Sequence, residues 1–268
     1  MSETVTLPSL LRMKRDGRKI VAVVAYDYQT AQIVDRAGVD MVSVGDSVGI
    51  NLWGHRSELD VTLDEMILAC AAVRRGVKRA LISCDFPFGP LQEGVDAAVR
   101  AAIRIVKEGG ADVVKLDGAA GFPEGVRAIT RAGIPVWAQF GITPHTAMQY
   151  GGISKAGPEL ATELKDTLVE HARLLEAAGA AMLDFTNSGP VAGPAATAAV
   201  SIPVIGGLGG GPWLDGRVRA IFPALGYLAS AIDDHTERYA NIAQVSFEAV
   251  QALAEDIRGG RQLKGQRG

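Results

Sequence analysis

Short, nearly continuous apolar runs alternate along the chain with longer stretches whose apolar residues recur every three or four positions. The runs are "KIVAVVAYD" (19–27), "VDMVSVGD" (39–46), "ALISCD" (80–85), "DVVKLD" (112–117), "IPVWAQF" (134–140), "AMLDFT" (181–186), "IPVIGG" (202–207) and "ALGYLAS" (224–230). A strand covered on both faces reads as a solid apolar run, the mark of a parallel sheet. The intervening stretches include "LDEMILACAAVRRG", "GVDAAVRAAIRIVKEGG", "EGVRAITRAG" and "KDTLVEHARLLEAAG". They carry helical periodicity and end in Gly, which suits the residue that closes a helix. Eight strand–helix units in 268 residues predict an α/β fold, a (β/α)8 TIM barrel. It is expected to form one domain over 1–268, with an N-terminal helical extension and a flexible polar tail, "RGGRQLKGQRG". The competing arrangement is an open doubly wound sheet, but no GxGxxG fingerprint follows the first run.

Barrel chemistry collects at the C-terminal ends of the strands. In order, these ends present Tyr26-Asp27, Asp46-Ser47, Asp85, then Lys115 and Asp117, Gln139, then Asp184, Thr186 and Asn187, and last the glycine-rich "GGLGGG" (206–211). A single Asp in such a place reads as a cap or turn residue, and Asp27 can be one. Asp46, Asp85 and Asp117, at three consecutive strand ends, point to a metal site. Three carboxylates and the Ser47 hydroxyl form a hard oxygen environment, which suits Mg²⁺ or another hard divalent cation better than zinc. A 2-oxo acid could chelate that ion, which would stabilise an enolate as a Lewis acid. Lys115 could neutralise a carboxylate or the enolate oxygen. Tyr26 and His145, near the same face, join Ser47 and Lys115 as candidate substrate-binding residues. His55 is a loop residue near that face, and His171 and His235 read as surface or packing residues.

Composition narrows the partners. A net charge of −3 without a dense Lys/Arg run gives no nucleic-acid surface. No 18-residue apolar run is present to span a membrane, and "MSETVTLPSLLRMKRDG" lacks the apolar stretch of a signal peptide. The two cysteines, Cys70 and Cys84, make no disulfide framework, so a reducing cytoplasm fits.

At these residues the sequence resembles the ketopantoate (3-methyl-2-oxobutanoate) hydroxymethyltransferase family, within the phosphoenolpyruvate/pyruvate-binding barrel superfamily. The matching stretches are "AYDYQTAQIVDRAG" (25–38), "VGDSVG" (44–49), "GHRSELDVTLDEM" (54–66), "AVRRG" (72–76), "DFPFG" (85–89), "GGADVVKLDG" (109–118), "FGITPH" (140–145), "LLEAAGA" (174–180) and "IPVIG" (202–206). The resemblance implies Mg²⁺-dependent, aldol-type transfer of a hydroxymethyl group from 5,10-methylenetetrahydrofolate to 3-methyl-2-oxobutanoate by a homo-oligomer. It implies metal ligation by Asp46 and Asp85 and substrate binding by Ser47 and Lys115. Asp117 falls where the family has a Glu at the metal or its water shell.

Several positions depart from the family pattern. Thr186 stands where the family's general-base Glu is expected, and Gln139 where it has a His on strand five. Asp184, two residues before Thr186, faces the same side of the strand but roughly 7 Å deeper. The stretch "GGLGGGPWLDG" carries an extra residue, and Pro223 replaces a family Asp. The candidate catalytic set is therefore Lys115, Asp184, Thr186 and Gln139, with water, Asp27 or His145 as alternative bases. A C–C lyase or decarboxylase acting on a 2-oxo acid is the second reading, and a non-catalytic binding barrel the third. "GGISKAG" (151–157) reads as a lid or a plain connector. The helical stretch 236–257 either closes the barrel or contributes to contacts between subunits.

Overall fold

The computed structural model describes residues 3–152 and 158–265. Eight strands close into a parallel barrel in chain order: β1 (Ile20–Val24), β2 (Met41–Val44), β3 (Leu81–Asp85), β4 (Val113–Leu116), β5 (Val136–Gly141), β6 (Met182–Thr186), β7 (Val204–Gly206) and β8 (Gly216–Ala220). Every residue of β2, β3, β4 and β6 is buried, as the solid apolar runs require. The helices before β8 are α1 (Leu7–Arg15), α2 (Tyr28–Arg36), α3 (Leu63–Gly76), α4 (Val95–Arg104), α5 (Pro123–Arg131), α6 (Pro158–Glu163), α7 (Lys165–Ala177) and α8 (Ala192–Ala199). Their starts follow local chemistry. Thr62 and Glu65 form a reciprocal capping box on α3. Asp27 caps α2, accepting from the Gln29 and Thr30 amides at 2.9 Å each and from the Thr30 hydroxyl at 2.7 Å.

The eighth strand corrects the expectation. "ALGYLAS" (224–230) begins at the end of the short helix α9 (Ile221–Ala224) and runs through a turn and a bend into a 3-10 helix (Ala229–Ile232), whereas the strand is "GRVRA". An apolar-run criterion passes over it because Arg217 and Arg219 face outward while Val218 is buried. The Arg217 guanidinium donates to the carbonyls of Gly206 and Gly207 at 3.1 and 3.2 Å. Residues 207–215, between β7 and β8, hold turns and no helix.

Side-chain alternation sets the barrel interior. Its lower layer is apolar: Ala22, Met41, Leu81, Val113, Trp137, Met182, Ile205 and Val218, closed by Leu10 and Met13 of α1. Each large side chain so buried contributes about 1.5–3 kcal/mol. Two residues further along the same faces stand Ser43, Ser83, Lys115, Gln139 and Asp184, all buried. The interior thus turns from apolar to polar half-way up, and this change places the site.

Residues up to Arg219 form one compact unit, and those from Ala220 a second. In the second, Phe222 and Tyr227 meet edge to face with centroids 4.9 Å apart. Its long helix α10 (Ile242–Arg258) starts six residues later than the expected 236. The Asp234 carboxylate captures the Thr236 amide and hydroxyl at 2.9 and 2.6 Å, a local turn that competes with helix. Asn241 then supplies the cap, accepting from the Gln244 amide. Along α10, Val250, Leu253 and Ile257 are 63%, 46% and 59% exposed. The candidate lid "GGISKAG" lies outside the described residues from 153 onward. No helix among the described residues is long and apolar enough to cross a membrane.

Candidate active site

The strand-end residues converge. Register pairs Asp85 of β3 with Lys115 of β4, and Gln139 of β5 with Asp184 of β6. The Lys115 ammonium donates to Asp85 Oδ2 at 3.2 Å, pairs with Asp184 Oδ2 at 3.1 Å, and lies 5.3 Å from the centre of the Trp137 ring beneath it. The hydroxyl of Ser83 donates to Ser43, and that of Ser43 to Asp85, steadying the carboxylate from below.

His145 joins two other acids. Its Nε2 is 3.1 Å from Asp46 Oδ2, its Nδ1 is 3.8 Å from Asp117 Oδ2, and its backbone amide donates to Asp117 at 3.2 Å. Phe88 packs edge-on against the imidazole. On the β1 side, the Tyr26 hydroxyl is 2.7 Å from Ser47 Oγ and accepts from the Asn51 amide at 2.9 Å. On the opposite wall, Gln139 Nε2 donates to Thr186 Oγ1 at 2.9 Å. β5 and β6 approach so closely there that a Cβ at Gly141, whose φ is +98°, would collide with the Thr186 carbonyl.

Burial and charge set the protonation tendencies. Burial pushes the Asp85 carboxyl up to about 7; Lys115 offsets this in part, and Asp46 adds to it. Burial also raises Asp117 and Asp184, against the pull of His145 and Lys115 respectively. For Lys115, burial alone would lower the ammonium, but Asp85 and Asp184, helped by Asp46 and Asp117, hold it above its ordinary value. His145 shows the same balance: burial lowers it, while Asp46 and Asp117 bring it out above the usual imidazole value. Burial raises Tyr26 against its bonds from Ser47 and Asn51.

The donors present match a hard cation in kind. Asp46, Asp85 and Asp117 offer carboxylate oxygens, and Asp117 Oδ1 is buried with no hydrogen-bond partner. As placed, Asp46 and Asp117 turn to His145 and Asp85 turns to Lys115. No three His, Cys, Asp or Glu side chains among the described residues form a ready cage for a metal. All ten expected site residues lie at or just below one barrel mouth. Asp27 is spent on α2, and His55 pairs with Glu65 at 3.5 Å. Ser43, Ser83, Asn51, Trp137 and Phe88 went unselected by sequence; alternation along β2 and β3 does point Ser43 and Ser83 inward, whereas Asn51 and Phe88 sit in loops without such a signal.

A family model described as ketopantoate hydroxymethyltransferase matches residues 4–262. The chain belongs to this family. It is 40% identical to the 3-methyl-2-oxobutanoate hydroxymethyltransferase of a Cyanothece species, over 94% of this chain and 96% of that one. It is 37% identical to the enzyme of that name from Pelobacter propionicus, over 97% and 95% of the two chains. Membership makes the protein an enzyme, a C–C bond-forming hydroxymethyltransferase. Among solved structures it superposes on 2,3-dimethylmalate lyase, of the PEP mutase/isocitrate lyase superfamily, with a TM-score of 0.59 at 14% identity, covering 98% of this chain and 91% of that one. A phosphonopyruvate hydrolase solved with oxalate and Mg²⁺ matches with a TM-score of 0.58 at 12% identity, covering 96% and 89%. At such identity these two neighbours speak for the shared barrel alone. At this mouth the Gln139–Thr186 pair is neutral, and Thr186 occupies the end of β6, where the resemblance predicts a general-base Glu.

Proposed function

We propose that the protein transfers a hydroxymethyl unit from 5,10-methylenetetrahydrofolate to a 2-oxo acid such as 3-methyl-2-oxobutanoate, with Mg²⁺ as cofactor. The observation that carries this reading is the gathering of Asp46, Asp85, Asp117 and Lys115 at one mouth, with Asp117 Oδ1 unpartnered. Asp46 and Asp85 would hold the ion, with Asp117 beside them, and when bound it would supply Lewis acidity to the substrate carbonyl. Lys115, already charged and fixed, lowers the cost of negative charge developing on the substrate oxygen. Ser47 and Tyr26, bonded to each other and to Asn51, offer hydroxyl donors to the substrate carboxylate. Thr186 has no basic group at neutral pH, and Asp27 is engaged as a cap. We assign proton transfer to His145, the imidazole between Asp46 and Asp117, which must first give up the proton those two carboxylates favour. The exposed apolar residues of α10 support the reading of a homo-oligomer.

The test is direct. Enzyme, 3-methyl-2-oxobutanoate, 5,10-methylenetetrahydrofolate and Mg²⁺ should yield the hydroxymethylated 2-oxo acid by mass spectrometry, and EDTA should stop its formation. The neutral Gln139–Thr186 wall favours one second reading, C–C cleavage of a 2-oxo acid. Release of pyruvate or CO₂ from 2-oxo diacids, without hydroxymethylated product, would replace the first reading with that one.

A further inference from the structure

Lys115 is one cation between two buried carboxylates, 3.2 Å from Asp85 and 3.1 Å from Asp184. A single partner would neutralise it. The second carboxylate leaves the barrel with either a surplus negative charge or a proton held in its place, and buried charge without a full partner is costly. Asp184 is also the deeper of the two: it is 2% exposed, and its Oδ1 has no hydrogen-bond partner. Asp85, at the end of β3, is the one within reach of the mouth.

The surplus is explained if Asp85 has a second occupation. We propose that Asp184 is a positioning residue: it retains Lys115 when Asp85 turns to a divalent cation, so that the ammonium and the ion do not compete for one carboxylate. This rests on the reading of Asp85 as a ligand of that ion. With the ion bound, the charges resolve into Lys115 with Asp184 and the ion with Asp85. Without Asp184, Asp85 would be the one carboxylate left in direct contact with Lys115, and the ion would have to displace the ammonium from it.

Calorimetric titration of Mg²⁺ into the full-length protein tests this as a cycle of wild type, Asp184→Asn, Lys115→Met and the double variant. Asp184→Asn, which keeps the side chain's shape, should weaken Mg²⁺ binding by roughly 5- to 150-fold, the usual span for coupled sites. In the Lys115→Met background, where no ammonium competes, the same change should have no effect. If wild type binds no Mg²⁺, the metal reading fails and this inference fails with it. If wild type binds and Asp184→Asn is unchanged, or the loss is equal in both backgrounds as for a mere charge effect, this inference alone is overturned. A measurement on wild type decides the matter even if a variant does not fold. The Lys115 ammonium, followed by ¹⁵N NMR, should show slow hydrogen exchange both before and after Mg²⁺ addition because Asp184 still holds it; protection that is lost on Mg²⁺ addition would overturn the proposal.

Discussion

At the scale of single residues the mouth is rich in acids and poor in cations. Asp46, Asp85, Asp117 and Asp184 share Lys115 and His145. Such an arrangement stores demand for one more positive group, and the substrate carbonyl is where that group would act. Asp46→Asn removes a charge but keeps a side chain able to hydrogen-bond His145. Turnover in the product assay should fall roughly 10²–10³-fold, the scale of losing one preorganised electrostatic group, while the thermal midpoint moves little. A fall in stability without a fall in turnover would remove Asp46 from the machinery. The strand-end acids and Lys115 were legible in sequence because a strand's last residue in a barrel has only one place to go. The bridge made by His145 was not, because a loop residue's reach depends on the loop's path. Nor was the Lys115–Asp184 pair, because strand stagger brings residues of different apparent depth to one level.

At the scale of elements, one aspartate ties several pieces together. Asp35, near the end of α2, accepts from the backbone amides of Lys78, Arg79 and Ala80 at 3.0, 3.1 and 2.8 Å, pinning the entry to β3. Burial would raise its carboxyl, but these three amides and Arg79 outweigh it and hold it below the ordinary carboxylate value. A depressed acid contributes stability above its ordinary value and loses it as pH falls through the lowered one. Asp35→Ala should therefore cost about 1–3 kcal/mol near neutral pH, and the gap from wild type should close in strong acid; urea denaturation across pH reads both. A gap that persists unchanged in acid would mean the aspartate acts by packing alone. Seven strands were legible at this scale because solid apolar runs have few other uses. β8 was not, because its two arginines lie on the outer face, and the start of α10 was not, because Asp234 captures the chain in a turn first.

For the molecule as a whole, an apolar lower barrel sealed by α1 supports a polar upper half, where burial strengthens the interactions between charges. The account requires that this mouth remove the hydrogen beside the substrate carbonyl, using the ion, Lys115 and His145, with Thr186 rather than a carboxylate at the end of strand six. Exchange of the C3 hydrogen of 3-methyl-2-oxobutanoate with deuterium oxide, followed by proton NMR with no folate present, isolates that step from transfer. The account predicts enzyme-dependent exchange with Mg²⁺ that EDTA abolishes; no exchange above the protein-free rate, or exchange indifferent to EDTA, would contradict it.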